Sequence, residues 1–332
     1  MEFKQRYRAI LFGAGCALFV WLLLRLNPSA VFALLLDIGW RFVPVIAFYG
    51  CHQLLRAAAY RQCVSNHCAY WDLVKIRLSG EAIQFLSSTG PFLAEPAKAW
   101  FLRRSGVSAR RAIAATILEY LIYSFTSAAF AVTSLLYLLL KYPLSEPALL
   151  TAKIVIGAMS GFLIAAAFAI VFRIYLIGAL VRGVSRLPWV GKHARVEEND
   201  LRDTEDLLFV VLRDRPLRFF SILSIEVAAQ MLLVLELFFL LGGAGVQFAA
   251  LDPFLIEGST KFVPVAFFFV PGQAGVTEGT YALVFQALGL SASAGFAVAL
   301  ARRLCVFVIA GLGLALAPVS GNPVRSGQKQ RR

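Results

Sequence analysis

Two short stretches of this sequence combine charged residues with breaks in otherwise apolar runs. In the second of them, Glu278 comes shortly after a break made by Pro271, Gly272 and Gly275. Proline and glycine free backbone groups from helical hydrogen bonds, and in hydrocarbon such backbone is tolerated only when buried in protein or lining a cavity. A carboxylate at the start of a new helix is stabilised by free N–H groups and the helix dipole. We therefore predict a broken membrane helix in which Glu278 acts as a gate or hydrogen-bond acceptor; the alternative is a kinked helix that ends in a solvated glutamate.

The first stretch repeats this layout. When Glu95 is placed on Glu278, Gly106 falls on Gly289, because each glycine lies eleven residues further along. Seven of 31 ungapped positions are identical, and both copies follow a Gly/Pro break and lead into an apolar span. Interrupted hydrophobic segments at matching positions of two halves point to the binding site of a transporter. Glu95, with Lys98 three residues later, is thus a second candidate for binding or gating.

Several further charges are predicted to lie inside the membrane. Those within apolar spans are Glu119, Glu226, Glu236, Arg302 and Arg303. Each would cost roughly 2.5–3.5 kcal/mol at the centre of a spanning helix, so they must pair or face the bundle interior. Glu119 and Arg302 occupy equivalent positions of the two copies, which predicts an ion pair between them. Lys98, Arg302 and Arg303 would attract an anionic or hydroxylated head group; the alternative is that these charges only hold helices together.

The composition predicts an all-α, polytopic membrane helix bundle. The 332 residues are 59% hydrophobic and 15% charged, against about 25% charged in an average soluble protein. The apolar runs are long and unbroken, whereas a membrane β-barrel shows alternating segments of about ten residues. We expect about six full spans plus two broken hairpins, the spans lying near residues 9–26, 38–59, 112–140, 149–177, 219–241 and 293–316. The first span has a basic start like a signal peptide, and we interpret it as a retained anchor.

The distribution of basic residues predicts the topology. With the N-terminus inside, 25 of the 32 basic residues fall on the cytoplasmic side and five outside, which is a strong positive-inside signal. Both termini are then cytoplasmic in the cell inner membrane, and the two broken segments enter from opposite sides as an inverted repeat. This placement also accounts for the net charge of +13 without a nucleic-acid partner.

The chain is predicted to form a single integral membrane domain over residues 1–318. Its parts are a first broken hairpin and span (80–140), a cytoplasmic loop (178–218), a second broken hairpin and span (250–317) and a basic cytoplasmic tail (319–332). A surface-lying amphipathic helix is expected over residues 66–79, and the first break is expected at Pro91 and Pro96.

No catalytic residue, metal or cofactor is expected. The five cysteines are scattered, and the group Cys63, His67 and Cys68 lacks a fourth metal ligand. Nothing in the sequence is typical of a nucleophile and base, a phosphate-binding loop or a zinc motif.

These motifs resemble those of the membrane region of lysylphosphatidylglycerol synthases and of the stand-alone flippase-like proteins related to it, including members of hopanoid gene clusters. The family's second motif is similar to Pro-Gly-Gly-x-Gly-x-x-Glu-Gly, here Pro271-Gly272-Gln273-Ala274-Gly275-Val276-Thr277-Glu278-Gly279. Its first motif has an acidic residue and a base three residues later, as in Glu95 and Lys98. Its Glu-Arg pair is here Glu119-Tyr120, so the arginine is absent, as is an acidic residue expected near Tyr123.

The resemblance implies translocation of a polar-headed lipid between leaflets. The chain ends soon after its last span, so we expect no soluble aminoacyl-transferase domain and no enzyme activity. The alternative is a non-transporting membrane subunit that anchors or regulates a lipid or envelope biosynthesis enzyme through the loop 178–218. An intramembrane enzyme is a third possibility, with only scattered carboxylates in its favour.

Overall fold

The computed structural model describes residues 33, 36–65, 68–86, 90–175 and 198–316, and this part of the chain is helical without strands, as predicted. Its α-helices are α1 (Phe42–Cys63), α2 (Tyr70–Leu86), α3 (Pro91–Arg104), α4 (Ala109–Lys141), α5 (Glu146–Phe172), α6 (Glu198–Phe209), α7 (Pro216–Gly243), α8 (Asp252–Thr260), α9 (Val263–Ala266), α10 (Val276–Ala287) and α11 (Ala292–Ala315).

Four helices within the described residues, α4, α5, α7 and α11, are long and apolar enough to cross a membrane. They correspond to four of the six predicted spans, and the predicted span 9–26 lies outside the described residues. The remaining predicted span coincides with α1, whose buried face carries His52, Gln53 and Arg56. Because these polar side chains lower its hydropathy, α1 is not among the four helices that are apolar enough to cross a membrane.

Close packing of α2 against α11 organises one side of the bundle. Gly313 of α11 lies so near α2 that a Cβ atom there would be 2.1 Å from the carbonyl oxygen of Leu78. The Ser79 hydroxyl donates a hydrogen bond to the carbonyl oxygen of Gly313 at 3.0 Å. On the other side, α1 packs along α7, and α4 contacts α5 and α8.

The segment expected to lie on the membrane surface is instead part of the bundle. Residues 70–86 form one continuous helix, α2, which runs from the predicted surface helix into the predicted membrane entry. Ile76 and Arg77 are buried, whereas Trp71 is 65% exposed. The surface-helix prediction is wrong because the apolar residues of α2 pack against α1, α3 and α11 rather than against lipid head groups.

Both predicted breaks are present, with one correction. Gly90 has a positive φ of 51°, which favours glycine, just before α3, in which Pro91 occupies the first turn. Pro96 does not break α3, which continues through it. In the second break α9 ends at Ala266 and α10 begins at Val276. Between them, Gly272 and Gly275 take positive φ values of 58° and 77° that favour glycine.

The backbone after the two breaks follows the same pattern in the same register. Gly106 and Gly289, which the ungapped alignment equates, both have positive φ, at 90° and 75°. Ser108 and Ser291 both precede the next helix in an extended conformation, and α4 and α11 then begin at equivalent positions.

The stretch 178–218, predicted to be a polar loop, contains a helix. Residues 176–197 lie outside the described residues, but residues 198–209 form α6, followed by a π-helical turn at Val210–Asp214. Acidic residues at the start of α6 favour a helix there. Asp203 of α6 forms an ion pair with Arg110 of α4. The predicted tail 319–332 also lies outside the described residues.

Candidate functional site

The two broken segments meet at a cavity of about 610 Å³ inside the bundle. Gly90 and Pro91 line it from the first break, and Gly272 and Gln273 line it from the second. The rest of the wall comes from helices α1 to α5 and α7 to α11, and nearly half of its residues are charged or carry a hydroxyl group. The cavity therefore has the position and the polarity of a ligand site within an apolar bundle.

One group of charges in and behind this wall is centred on Glu119 and is called here the Glu119 cluster. Glu119 is fully buried and accepts hydrogen bonds from three cations: Arg56 at 2.6 Å, Arg77 at 2.7 Å and Lys98 at 3.2 Å. Lys98 also forms an ion pair with Glu95 at 2.8 Å, and Glu95 is 17% exposed. Lys98 thus links the partly exposed carboxylate of the first motif to the buried carboxylate of α4.

Arg56 extends the Glu119 cluster to α7. Its Nε atom lies 3.4 Å from a carboxylate oxygen of Glu226, which is fully buried. Its guanidinium carbon lies 3.4 Å from the ring centre of Tyr123, in the geometry of a cation–π contact. Arg77 is held in addition by Gln53, whose side-chain oxygen accepts a hydrogen bond at 3.1 Å.

A second group of charges, the Arg302 cluster, is centred on Arg302 of α11. Arg302 donates from Nε and Nη2 to the two oxygens of Glu236 at 3.2 and 3.1 Å, a paired geometry suited to a guanidinium. Its Nη1 atom reaches Glu257 at 2.5 Å and also Tyr281. Glu257 pairs with Lys261 as well, so this cluster joins α7, α8, α10 and α11.

Arg303 holds the second break together. Its Nε atom donates to Glu278 at 2.6 Å, and its Nη1 atom donates to the carbonyl oxygen of Gly272 at 2.8 Å. The other carboxylate oxygen of Glu278 accepts the N–H of Gly275 at 2.8 Å. Glu278 is fully buried, so the alternative of a solvated glutamate is wrong. Backbone groups freed by the break are thereby given partners, as a membrane interior requires; Pro271 lies in the same turn.

The predicted ion pair between Glu119 and Arg302 is wrong. Glu119 is neutralised by Arg56, Arg77 and Lys98, and Arg302 is neutralised by Glu236 and Glu257. The two residues occupy equivalent repeat positions but belong to separate clusters.

Sequence reasoning missed four of the twelve charges that form these clusters. The count of basic residues placed Arg56 and Arg77 on the cytoplasmic side and Lys261 on the outer side, and Glu257 was not singled out. A signal for Arg56 existed, since His52, Arg56 and Tyr60 recur every four residues and therefore share one face of α1. All three are buried.

The two clusters are balanced in charge. The Glu119 cluster has three cations and three carboxylates, and so has the Arg302 cluster when Arg303 and Glu278 are included. Glu81 differs, because within the described residues it lines the cavity without a cation and accepts a hydrogen bond from Tyr49 at 2.8 Å. Because the charges of the two clusters are already paired, a polar ligand can bind by exchanging ion-pair partners with them.

Among the described residues no group of three or more potential metal ligands lies close together. Cys63 and Cys68 are buried free thiols, and His67 lies outside those residues.

Comparison with known proteins agrees with the motifs. A sequence model of the family described as the lysylphosphatidylglycerol synthase TM region matches residues 9–313. No curated protein and no solved structure matches the chain. The matched region spans most of the sequence, including both broken segments and both clusters. The chain is therefore a membrane protein that belongs to the lysylphosphatidylglycerol synthase transmembrane-region family.

Proposed function

We propose that this protein translocates a polar-headed membrane lipid across or out of the inner membrane. The observation that carries the proposal is the convergence of both broken segments and both charge clusters on one cavity of about 610 Å³. A lipid head group cannot cross hydrocarbon without partners for its polar groups, and this wall supplies them.

The ion pairs of the wall suit a head group that must be bound and released. Lys98 shares its charge between Glu95 and Glu119, so a phosphate or hydroxyl group of the lipid can replace one of these carboxylates. Arg302 and Arg303, which line the cavity from α11, can exchange their carboxylate partners for a lipid group in the same way. Because Glu95 is partly exposed and paired with Lys98, it is suited to act as a gate where the first broken segment reaches the cavity.

The same proposal includes the inverted repeat, six spans and cytoplasmic termini. The repeat is supported by the matched backbone after the two breaks, where Gly106 and Gly289 both have positive φ. The topology is supported by the excess of basic residues on one side of the membrane. Opposed repeats would open the cavity alternately towards the two leaflets.

The test is lipid movement in liposomes that contain the purified protein and labelled lipids of several head-group classes. We expect Glu95→Gln and Glu278→Gln to insert normally and to lose transport, since glutamine cannot form the ion pair with Lys98 or with Arg303. Glu146→Gln is the matched control, because Glu146 is an exposed carboxylate at the start of α5. Wild-type transport rates in both cavity variants would show that the broken segments are only structural.

The alternative proposal is a non-transporting subunit that anchors or regulates a lipid or envelope biosynthesis enzyme. It predicts that the wild-type protein moves no lipid class in the same liposomes. The family match covers a membrane region and no catalytic domain is matched with it, so we propose no catalytic role for the chain itself.

A further inference from the structure

A second concavity, of about 720 Å³, lies at the end of the bundle where α1 ends and α2 and α7 begin. It shares no lining residue with the central cavity. We call it the basic groove, and its polar lining residues are Arg61, Gln62, Ser65, Tyr70, Arg215 and Arg218.

Among the described residues, no carboxylate forms an ion pair with the three arginines of the basic groove. No carboxylate is among the described residues that line the groove. The acidic residues nearest in sequence are engaged elsewhere, because Asp214 pairs with Arg173 at 2.8 Å and Asp72 pairs with Lys75 at 3.7 Å. Three converging guanidinium groups without a counter-charge form a site for an anion.

One of these arginines, Arg218, is held in place by hydrogen bonds to α1 and to the residues that follow it. The Nη2 atom of Arg218 donates to the carbonyl oxygen of Gln62 and to the hydroxyl of Ser65, the latter at 3.0 Å. Within the described part of the chain its Nε and Nη1 atoms make no hydrogen bond, and Arg61 and Arg215 form no ion pair. A planar guanidinium held on one edge presents its free edge to a phosphate in the geometry that phosphate prefers.

The surroundings of the groove are apolar and exposed. Leu217 and Phe220, in the same two turns of α7 as Arg218, are 88% and 60% exposed, and Trp71 beside Tyr70 is 65% exposed. Tryptophan is enriched where a protein meets lipid head groups. We propose that the basic groove binds a phosphate group, and that the exposed side chains beside it favour a phosphate carried by a membrane lipid.

The proposal can be tested by binding to the purified full chain in a neutral detergent. The probes are a short-chain phosphatidic acid, the diacylglycerol with the same acyl chains, and inorganic phosphate as a competitor. The groove variant is Arg61→Gln with Arg215→Gln, which removes two exposed arginines and leaves Arg218 in place. The control variant is Arg103→Gln with Arg104→Gln, which removes two exposed arginines from the end of α3.

We expect the groove variant to bind phosphatidic acid about tenfold more weakly or worse, because charge-assisted hydrogen bonds are lost, and the control variant to bind it as the wild type does. Diacylglycerol should bind both double variants and the wild type alike. Equal losses of phosphatidic acid binding in the two double variants, or unchanged binding in the groove variant, would refute the proposed phosphate site. Displacement of phosphatidic acid by an equal concentration of inorganic phosphate would overturn the lipid assignment and leave the groove as a site for free phosphate. These outcomes do not depend on whether the protein transports lipid.

Discussion

The strongest test of the charge clusters is a double-mutant cycle between Arg302 and Glu236. Both oxygens of Glu236 accept hydrogen bonds from Arg302, and Glu236 is fully buried. After Arg302→Gln, Glu257 keeps Lys261 as a partner, but Glu236 keeps no cation within the described residues. Leaving a buried charge unpaired typically costs about 3–5 kcal/mol, which is a large share of the stability of a domain.

The second variant of the cycle removes the stranded charge. In Arg302→Gln with Glu236→Gln two amides replace the ion pair, and amides can hydrogen-bond to each other. We expect the double variant to lose less stability than the two single variants together, with a coupling of about 0.5–3 kcal/mol. The measurement is unfolding of the purified variants in mixed micelles, under the same conditions for all of them.

A control cycle between Glu119 and Arg302 separates the observed clusters from the pair predicted by repeat symmetry. Because these residues share no partner, their losses should add. Additive losses in the Arg302 and Glu236 cycle, or strong coupling in the Glu119 and Arg302 cycle, would refute the assignment of partners.

Two further predictions concern packing and topology. Gly313→Val should lower the unfolding temperature strongly, since a Cβ atom at residue 313 would lie 2.1 Å from the carbonyl oxygen of Leu78. Gly311→Val is the control and should have little effect, because nothing lies within 4 Å of a Cβ atom at residue 311. Equal effects of the two variants would refute the close approach of α2 and α11. Accessibility tags are expected to be cytoplasmic at Gly191, which lies outside the described residues, and external near Tyr142. An external tag at Gly191 would overturn the proposed topology and the inverted repeat with it.

The sequence was sufficient to predict the features that depend on local chemistry. The apolar runs predicted the spanning helices α4, α5, α7 and α11, and the glycines and prolines predicted both breaks. The prediction that Glu278 begins a helix also follows from local rules, because a carboxylate is stabilised by free N–H groups within one turn. The family resemblance, confirmed by the match over residues 9–313, rests on the same short motifs.

The pairing of charges could not be predicted in this way, because it depends on which helices pack together. Repeat symmetry suggested that Glu119 of α4 meets Arg302 of α11. In the structure α11 packs mainly on α2 and α10, and α4 packs mainly on α5 and α8. Arg56 and Arg77 are buried because α1 and α2 pack inside the bundle, whereas the count of basic residues placed both arginines on the cytoplasmic side.

Helix α7 connects the two clusters and suggests how they work together in the proposed transport. It supplies Glu226 to the Glu119 cluster and Glu236 to the Arg302 cluster. These residues are ten positions apart, which corresponds to about 15 Å along a helix. That distance is about half of the roughly 30 Å thickness of the hydrocarbon core. In the proposed transport, the two sets of ion pairs would therefore offer partners to a head group at two levels along α7. Because both sets include a carboxylate of α7, a shift of α7 against α1 and α11 would change the partners available in both sets at once.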